Sequence, residues 1–234
     1  MWSGPRNLST AMMYSFAARG DCAVWDEPFY AAYLKATGID HPMRDAIIAA
    51  HQADPDSVAA ACIGAIPQEQ SLFYQKHMTL HMIPGFDRGF MRSLTNVFLI
   101  RHPARVVASY AKKREGPTLA DIGFVQQAEL FDETAQRMGR APIVIDSADI
   151  RADPETMLRK LCDALEIRFM PEMLRWPAGG HPSDGVWAPH WYGAVHRSTG
   201  FDAAEDKLPD LPDAYRTIAD AALPYYELLA KYRL

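Results

Sequence analysis

The sequence predicts an α/β fold with a central, mostly parallel sheet flanked by helices. Three observations carry that expectation. Short apolar runs recur along the 234 residues, stretches with helical spacing separate them, and chemistry-bearing residues stand just after the runs. Strands alternating with helices pair in parallel and need cover on both faces. In such sheets ligands collect at the carboxyl ends of the strands, so the residues there are the ones to interrogate.

In chain order, Met1–Trp2 reads as the end of a strand, followed by a helix with a mainly apolar stripe of Leu8, Met12, Phe16 and Arg19. Ala23–Trp25 is the next strand. Ile47, Ile48 and His51 lie in a second helix. Val58 to Ile66 form a third, entered through Asp54 as cap and Pro55 at the first helical position. Leu72–Tyr74 and Val97–Ile100 are strands, and Val106, Val107 and Tyr110 belong to the helix after the latter. Leu119 to Met138 reads as one long helix closed by Gly139. Ile143–Ile145 is the last strand, and Asp153-Pro154 opens a helix through Met157, Leu158, Leu161 and Leu165. Residues 176–212 are rich in Gly, Pro, His, Trp and Ser, and their Trp187, Trp191 and Tyr192 argue against disorder. They read as an irregular, lid-like loop before a C-terminal helix at about 213–233, all within a single domain, 1–234.

Composition narrows the function. With 49% hydrophobic and 23% charged residues the chain is globular, and its net charge of -5 speaks against a nucleic-acid partner while leaving room for a local basic pocket. No run is long enough to span a bilayer and no charged-then-apolar leader is present, so no membrane partner is expected. Cys22, Cys62 and Cys162 form no close pair and sit in apolar runs, as buried thiols do in a reducing compartment, here the cytoplasm.

The stretch "MWSGPRNLSTAMMYSF" has the order of an anion-binding turn at a helix N-terminus. Gly4 allows close backbone approach and Pro5 stiffens the turn. Arg6 adds a charge, and the Ser9 and Thr10 hydroxyls add donors to the free N–H groups of residues 6 to 10. Taken alone it is equally a plain capped helix with a surface arginine. It is not a phosphate-binding Gly-Lys-Ser/Thr loop, because the lysine is absent. A second stretch, "VFLIRHPARVVASY", places Arg101 at a strand's carboxyl end, where a guanidinium can fork a phosphate, and Ser109 on the helix that follows. An ion pair and a solvent-facing serine are the bland alternatives.

Together the two stretches resemble the sulfotransferases that use 3′-phosphoadenosine 5′-phosphosulfate (PAPS). In that family a Pro-Arg/Lys-Ser-Gly-Thr-Thr turn holds the 5′-phosphosulfate, matched here by Pro5-Arg6-Asn7-Leu8-Ser9-Thr10. An Arg-x-Pro segment running on to Ser-Tyr holds the 3′-phosphate, matched by Arg101-His102-Pro103 through Ser109-Tyr110. "VIDSADIRADPETMLRKLCDALEIRF" resembles a third family segment, and "VHRSTGF" is similar to its late Arg-Lys-Gly loop, so Arg197 and Gly200 would close over the 3′-phosphate. The resemblance implies a P-loop-like three-layer fold and sulfuryl transfer from PAPS to a hydroxyl or amine of a small-molecule acceptor, with no metal. Arg6 would neutralise the leaving charge. The family's loop glycine is Leu8 here, so the loop must reach its conformation with a side chain present. With Met1-Trp2 before Gly4, either the sequence begins late or a central strand is cut short.

The acceptor must lose a proton as it attacks, so a base is expected nearby. Two candidates stand open. His77, in "YQKHMTLHM", resembles the family's Lys-x-His histidine with a spacing one residue short, and His81 is its fallback. Glu27, in "VWDEPFY", resembles the glutamate base of some bacterial members. A zinc site on His77 and His81 is not expected, since neither the neighbouring glutamate nor a third ligand is present. The alternatives to a sulfotransferase are a small-molecule kinase, for which Asp146 would hold Mg²⁺, and a non-catalytic nucleotide-binding protein.

Overall fold

The computed structural model describes residues 1–114, 116–205 and 207–234. Five parallel strands form one sheet in the order β2-β3-β1-β4-β5: β1 (Trp2–Ser3), β2 (Cys22–Asp26), β3 (Leu72–Met78), β4 (Val97–Ile100) and β5 (Ile143–Asp146). β1 is only two residues long yet central. Trp2 pairs with His77 on one side and Phe98 on the other, and Ser3 with Met78 and Leu99. From β1 the chain crosses towards β2, and from β4 towards β5, so the topological switch point lies between β1 and β4. That crevice is where a ligand belongs.

Strand side chains alternate between two cores. Tyr74, Leu99 and Ile145 pack with helices α1 (Ser9–Ala17) and α8 (Pro154–Ala164). Trp2, Phe98, Ile100 and Val144 pack with α4 (Pro55–Cys62), α6 (Phe124–Met138) and α10 (Asp213–Ala230) on the other face. The three layers follow from this alternation. α4 starts as its sequence dictates, with Asp54 accepting the Ser57 N–H at 2.9 Å ahead of Pro55. Helices α5 (Pro103–Ala111) and α7 (Ser147–Ala152) follow β4 and β5 directly. α2 (Tyr30–Thr37), which no sequence signal marked, packs on α3 (Arg44–Ala50).

One expected element divides. The run from Leu119 to Met138 is a short 3₁₀ turn, Ala120–Ile122, then a break at Gly123 (φ 70°), then α6. The break is tertiary in origin. Thr79 Oγ1 donates to the Gly123 carbonyl at 3.0 Å, and the Ile122 carbonyl lies 2.6 Å from where a Cβ on Gly4 would stand. Gly4 therefore makes room for this chain crossing.

Residues 176–212 are less open than a free cover would be. Trp187, Ala188 and Tyr192, around helix α9 (Ala188–Trp191), are buried against Tyr30, Leu34 and Ile47. The segment forms a wall. The three cysteines are buried and unpaired, and burial pushes the Cys22 thiol up to about 11 and Cys62 up to about 12.

Candidate active site

The switch point opens into a cavity of about 350 Å³. Its floor is the loop between β1 and α1. Arg6 (φ 63°) and Leu8 (φ 75°) are left-handed, whereas Asn7 between them is not, so the sign of φ alternates. Such alternation turns successive N–H groups towards one point, where they join the orphan donors of the first turn of α1. Leu8 thus adopts the glycine-like conformation while keeping its side chain, half-buried against the core below α1. Asn7 is fully buried and donates Nδ2 to the Leu99 carbonyl at 3.2 Å, which ties the loop to β4.

The loop and the end of β4 are joined directly. Arg101 Nη1 donates to the Arg6 carbonyl at 2.7 Å. Arg6 Nε donates to Ser109 Oγ at 3.0 Å and Nη1 to the Trp191 carbonyl at 3.4 Å. Burial, followed by the neighbouring Arg101, lowers the Arg6 pKa from its ordinary value. Ser109 therefore holds Arg6, and Arg101 turns its remaining donors towards Glu205, which also meets Arg105 at 3.3 Å and Arg151 at 2.8 Å.

The opposite wall carries a buried charge network. Lys76 Nζ lies 2.8 Å from Asp26 Oδ1, 2.7 Å from Glu27 Oε1 and 2.5 Å from Tyr192 Oη. Tyr192 also receives Trp187 Nε1 at 2.9 Å and donates to Asp26 Oδ2 at 2.8 Å. The Gly185 N–H completes the shell of Asp26 at 3.1 Å. Burial pulls the Lys76 ammonium down, but the two carboxylates outweigh it and hold its pKa above the ordinary value. Burial pushes the Asp26 carboxyl up against the pull of Lys76, with Glu27 adding to the push. Burial and then the two carboxylates drive the Tyr192 phenol well up, so it stays protonated. Glu27, at a left-handed φ of 43° just beyond β2, is the member of the carboxylate pair that lines the cavity. An aromatic patch of Tyr30, Tyr33, His41, Tyr110 and Trp191 lines the cavity with it.

The structure separates the two base candidates. His77 points to the other face of β3, stacked on Trp2 with centroids 4.3 Å apart and within 3.1 Å of Gln75 Oε1. Strand alternation sends Lys76 and Met78 into the cavity and His77 away from it. Burial drives its pKa well below the ordinary histidine value. His81 does line the cavity, held between Tyr30 and Tyr33 at 4.4 and 4.9 Å, and burial lowers it in the same way. His77 on a strand and His81 in a 3₁₀ turn share no helical face. Among the described residues no group of three or more His, Cys, Asp or Glu is placed to hold a metal ion. Asp146 accepts from the Ala148 N–H at 2.8 Å and from Tyr226 Oη at 2.7 Å, which commits it to capping α7.

Of the other sequence candidates, Pro5, Arg6, Asn7, Ser9, Thr10, Arg101, Ser109 and Gly200 line the cavity. Gly4 sits beneath it against Ile122, and Arg197 is exposed to solvent away from it. Asp26, Lys76, Tyr192, Arg105, Arg151 and Glu205 are the site groups that sequence reasoning did not select. The acidic doublet Asp26-Glu27 after a strand, and Arg105 one helical turn beyond Arg101, are the signals that pointed to two of them.

Fold and site together define an α/β chain whose loop at the switch point of a parallel sheet turns backbone N–H groups towards a cavity. The chain belongs to the sulfotransferase domain family, whose model matches residues 1–233. Two Arabidopsis thaliana relatives, branched-chain-amino-acid aminotransferase-like proteins 1 and 2, are 38% and 37% identical to it over 231 and 228 residues. These matches cover 99% and 97% of this chain but 41% and 40% of the relatives, so it spans about two fifths of their length. The sulfotransferase domain from the curacin biosynthetic pathway aligns over 94% of this chain and 95% of its own, with 15% identity and a TM-score of 0.49. The corresponding domain of the Synechococcus PCC 7002 olefin synthase aligns over 94% of this chain and 92% of its own, with 16% identity and a TM-score of 0.46. Among the described residues no helix is long and apolar enough to cross a membrane.

Proposed function

We propose that the chain is a PAPS-dependent sulfotransferase that modifies a hydroxyl or amine of a ring-bearing small molecule, with Glu27 as the base. The observation that carries this reading is the direct bond between the two arginine-bearing elements, Arg101 Nη1 to the Arg6 carbonyl, in a cavity that the Glu27 carboxylate also lines. Two cationic positions joined in this way suit a nucleotide with phosphates at both ends of its ribose. The orphan N–H groups of the loop fit an oxyanion between them.

Bound there, PAPS would supply the sulfuryl group. Arg6, Ser9, Thr10 and the loop N–H groups would hold the 5′ end and offset the negative charge left on the nucleotide, by fixed donors that need no reorganisation. Glu27 would accept the acceptor's proton. Lys76 and Tyr192 fix the orientation of that carboxylate, and Tyr30, Tyr33 and Trp191 would cover the acceptor's ring.

Titration calorimetry with adenosine 3′,5′-bisphosphate and with ATP, joined to a sulfuryl-transfer assay on a panel of phenols, alcohols and amines, tests the reading. The bisphosphate should bind more tightly than ATP. Glu27→Gln should lower turnover by about 10²–10⁴-fold with bisphosphate affinity unchanged. Tighter binding of ATP, or full turnover in Glu27→Gln, would overturn it.

A further inference from the structure

His81 is a buried group of the cavity to which the transfer chemistry gives no task. It lies in the 3₁₀ turn after β3 and is only 3% exposed, yet it lines the cavity together with Glu27 and the aromatic patch. Tyr30 stacks on its ring at 4.4 Å with the planes 20° apart, and Tyr33 at 4.9 Å and 26°. Two rings stacked this closely occupy opposite faces of the imidazole. What the ring can still offer is its edge, and on that edge Nδ1 has no hydrogen-bond partner among the described residues.

A buried polar atom without a partner is costly and rare, and in a cavity wall it points to a ligand. Met78 and Leu80, which line the cavity on the same stretch, bring only apolar side chains. Among the described residues no hydrogen bond links His81 to the network of Lys76, Asp26, Glu27 and Tyr192. Burial, followed by the nearby His41 and Lys76, holds the His81 pKa well below the ordinary value, so the ring is neutral. A neutral imidazole has one N–H donor and one bare nitrogen. A carboxylate could serve Nδ1 in one tautomer only and an ammonium only in the other. A hydroxyl both donates and accepts, so it pairs with Nδ1 in either.

We propose that His81 is a specificity-determining residue that binds a second hydroxyl on the acceptor's ring, which makes the acceptor class an aromatic diol. The proposal rests on the sulfotransferase reading with Glu27 as base, and it names the acceptor of that reaction. At the first hydroxyl a new S–O bond forms as the S–O bond to the nucleotide breaks, and the hydroxyl's proton passes to Glu27. The second hydroxyl keeps its proton and leaves the reaction unchanged.

Calorimetry of the whole chain with phenol, catechol, resorcinol and hydroquinone, joined to sulfuryl transfer from PAPS to each, tests the proposal. At least one diol should bind about tenfold more tightly than phenol, the yield of one good buried hydrogen bond. His81→Phe keeps a ring between the two tyrosines but removes both nitrogens. It should bring the diol-to-phenol ratio to about one by weakening the diol, and the loss should fall on the diol's KM rather than on kcat. Equal binding of phenol and the diols by the unaltered chain would overturn the proposal, and that measurement decides it even where the variant does not fold. A diol preference retained by His81→Phe would also overturn it. So would a loss of kcat shared by phenol and the diols, which is the mark of a base. If none of the four is sulfated while the diol preference and its loss in His81→Phe are both observed, the sulfotransferase reading fails and the hydroxyl subsite stands. If no diol binds, the subsite fails.

Discussion

The two walls of the cavity handle charge in opposite ways. On the arginine side, Arg6, Arg101 and Arg151 stay open to the cavity, and their partners are backbone carbonyls, one hydroxyl and two carboxylates, Asp202 and Glu205. On the Glu27 side, Asp26, Lys76 and Tyr192 are almost wholly buried and satisfy one another, leaving Glu27 as the edge that meets the cavity. An open cationic surface exchanges its anions at little cost. A closed network does not exchange, and removing any member strands a buried charge. Ligand affinity should therefore respond to changes on the first wall and stability to changes on the second.

Lys76→Met is the harshest test of that contrast. It leaves Asp26 and Glu27 without their cation and should cost about 3–5 kcal/mol, read as a lower midpoint in urea denaturation. The sign of the pH dependence adds a second criterion. Folded Asp26 already titrates above its unfolded value of 3.8, so its folded form binds the extra proton, and its contribution falls as pH rises through the window above 3.8. Removing Lys76 removes a downward pull and widens that window. The deficit of the variant should shrink on acidification towards pH 4 and grow above it. A deficit constant from pH 4 to 8 would mean that packing, not charge, is what was lost. In the unaltered chain the Lys76 contribution is complete below 10.5 and is lost only as pH rises through its higher folded value.

His77→Ala should cost less and separate structure from chemistry. The ring fills space against Trp2 and Phe90, so its loss should cost about 3 kcal/mol while leaving turnover intact, in contrast to Glu27→Gln. Here the pH dependence has the opposite sign. Burial holds folded His77 well below 6.5, so the unfolded chain takes up the proton first and stability falls as pH drops under 6.5. Each such histidine steepens the fall by at most about 1.4 kcal/mol per pH unit. The variant should lose one histidine's share of that slope, with His41, His51, His81 and His102, also lowered by burial, keeping theirs. A slope unchanged between pH 6.5 and 5 would contradict a neutral, buried His77.

The same division explains what the sequence disclosed. The sheet was legible because β2, β4, β5 and the first three residues of β3 are apolar runs, whereas the two-residue β1 and the polar second half of β3 gave little signal. The arginine wall was legible as one cluster because most of its parts lie within two short windows, residues 4–10 and 101–109, each directly after a strand. The Glu27 wall was not, because Asp26, Lys76 and Tyr192 meet only through the sheet pairing of β2 with β3 and the return of the chain after α9. Tyr192 and Asp26 are 166 residues apart, and no local pattern links them. That His77 lies away from the cavity was hidden for a related reason. A Lys-His pair in a strand sends its two side chains to opposite faces, and sequence alone did not say which face held the cavity. Gly123 hid the break before α6 because a glycine inside a helical pattern reads as tolerated until a tertiary contact uses it.

Leu8 is the smallest test and the one that isolates conformation from charge on the arginine wall. A non-glycine residue at φ 75° costs about 1–2 kcal/mol, which Leu8→Gly would relieve. Against that, glycine loses about 0.5–1 kcal/mol more backbone entropy on folding, and the half-buried leucine side chain gives up about 1 kcal/mol of burial. The terms nearly cancel, so the urea midpoint should move by less than the equivalent of about 1 kcal/mol. The backbone constraints that remain, the Leu8 carbonyl accepting from Met12 N–H at 3.1 Å and Asn7 anchored to Leu99 at 3.2 Å, keep the loop N–H groups aimed as before. Bisphosphate affinity should then stay within about threefold of the unaltered chain. A gain of tenfold would show that the leucine side chain obstructs the cavity it lines. A comparable loss would show that its packing, rather than the two anchors, sets the loop.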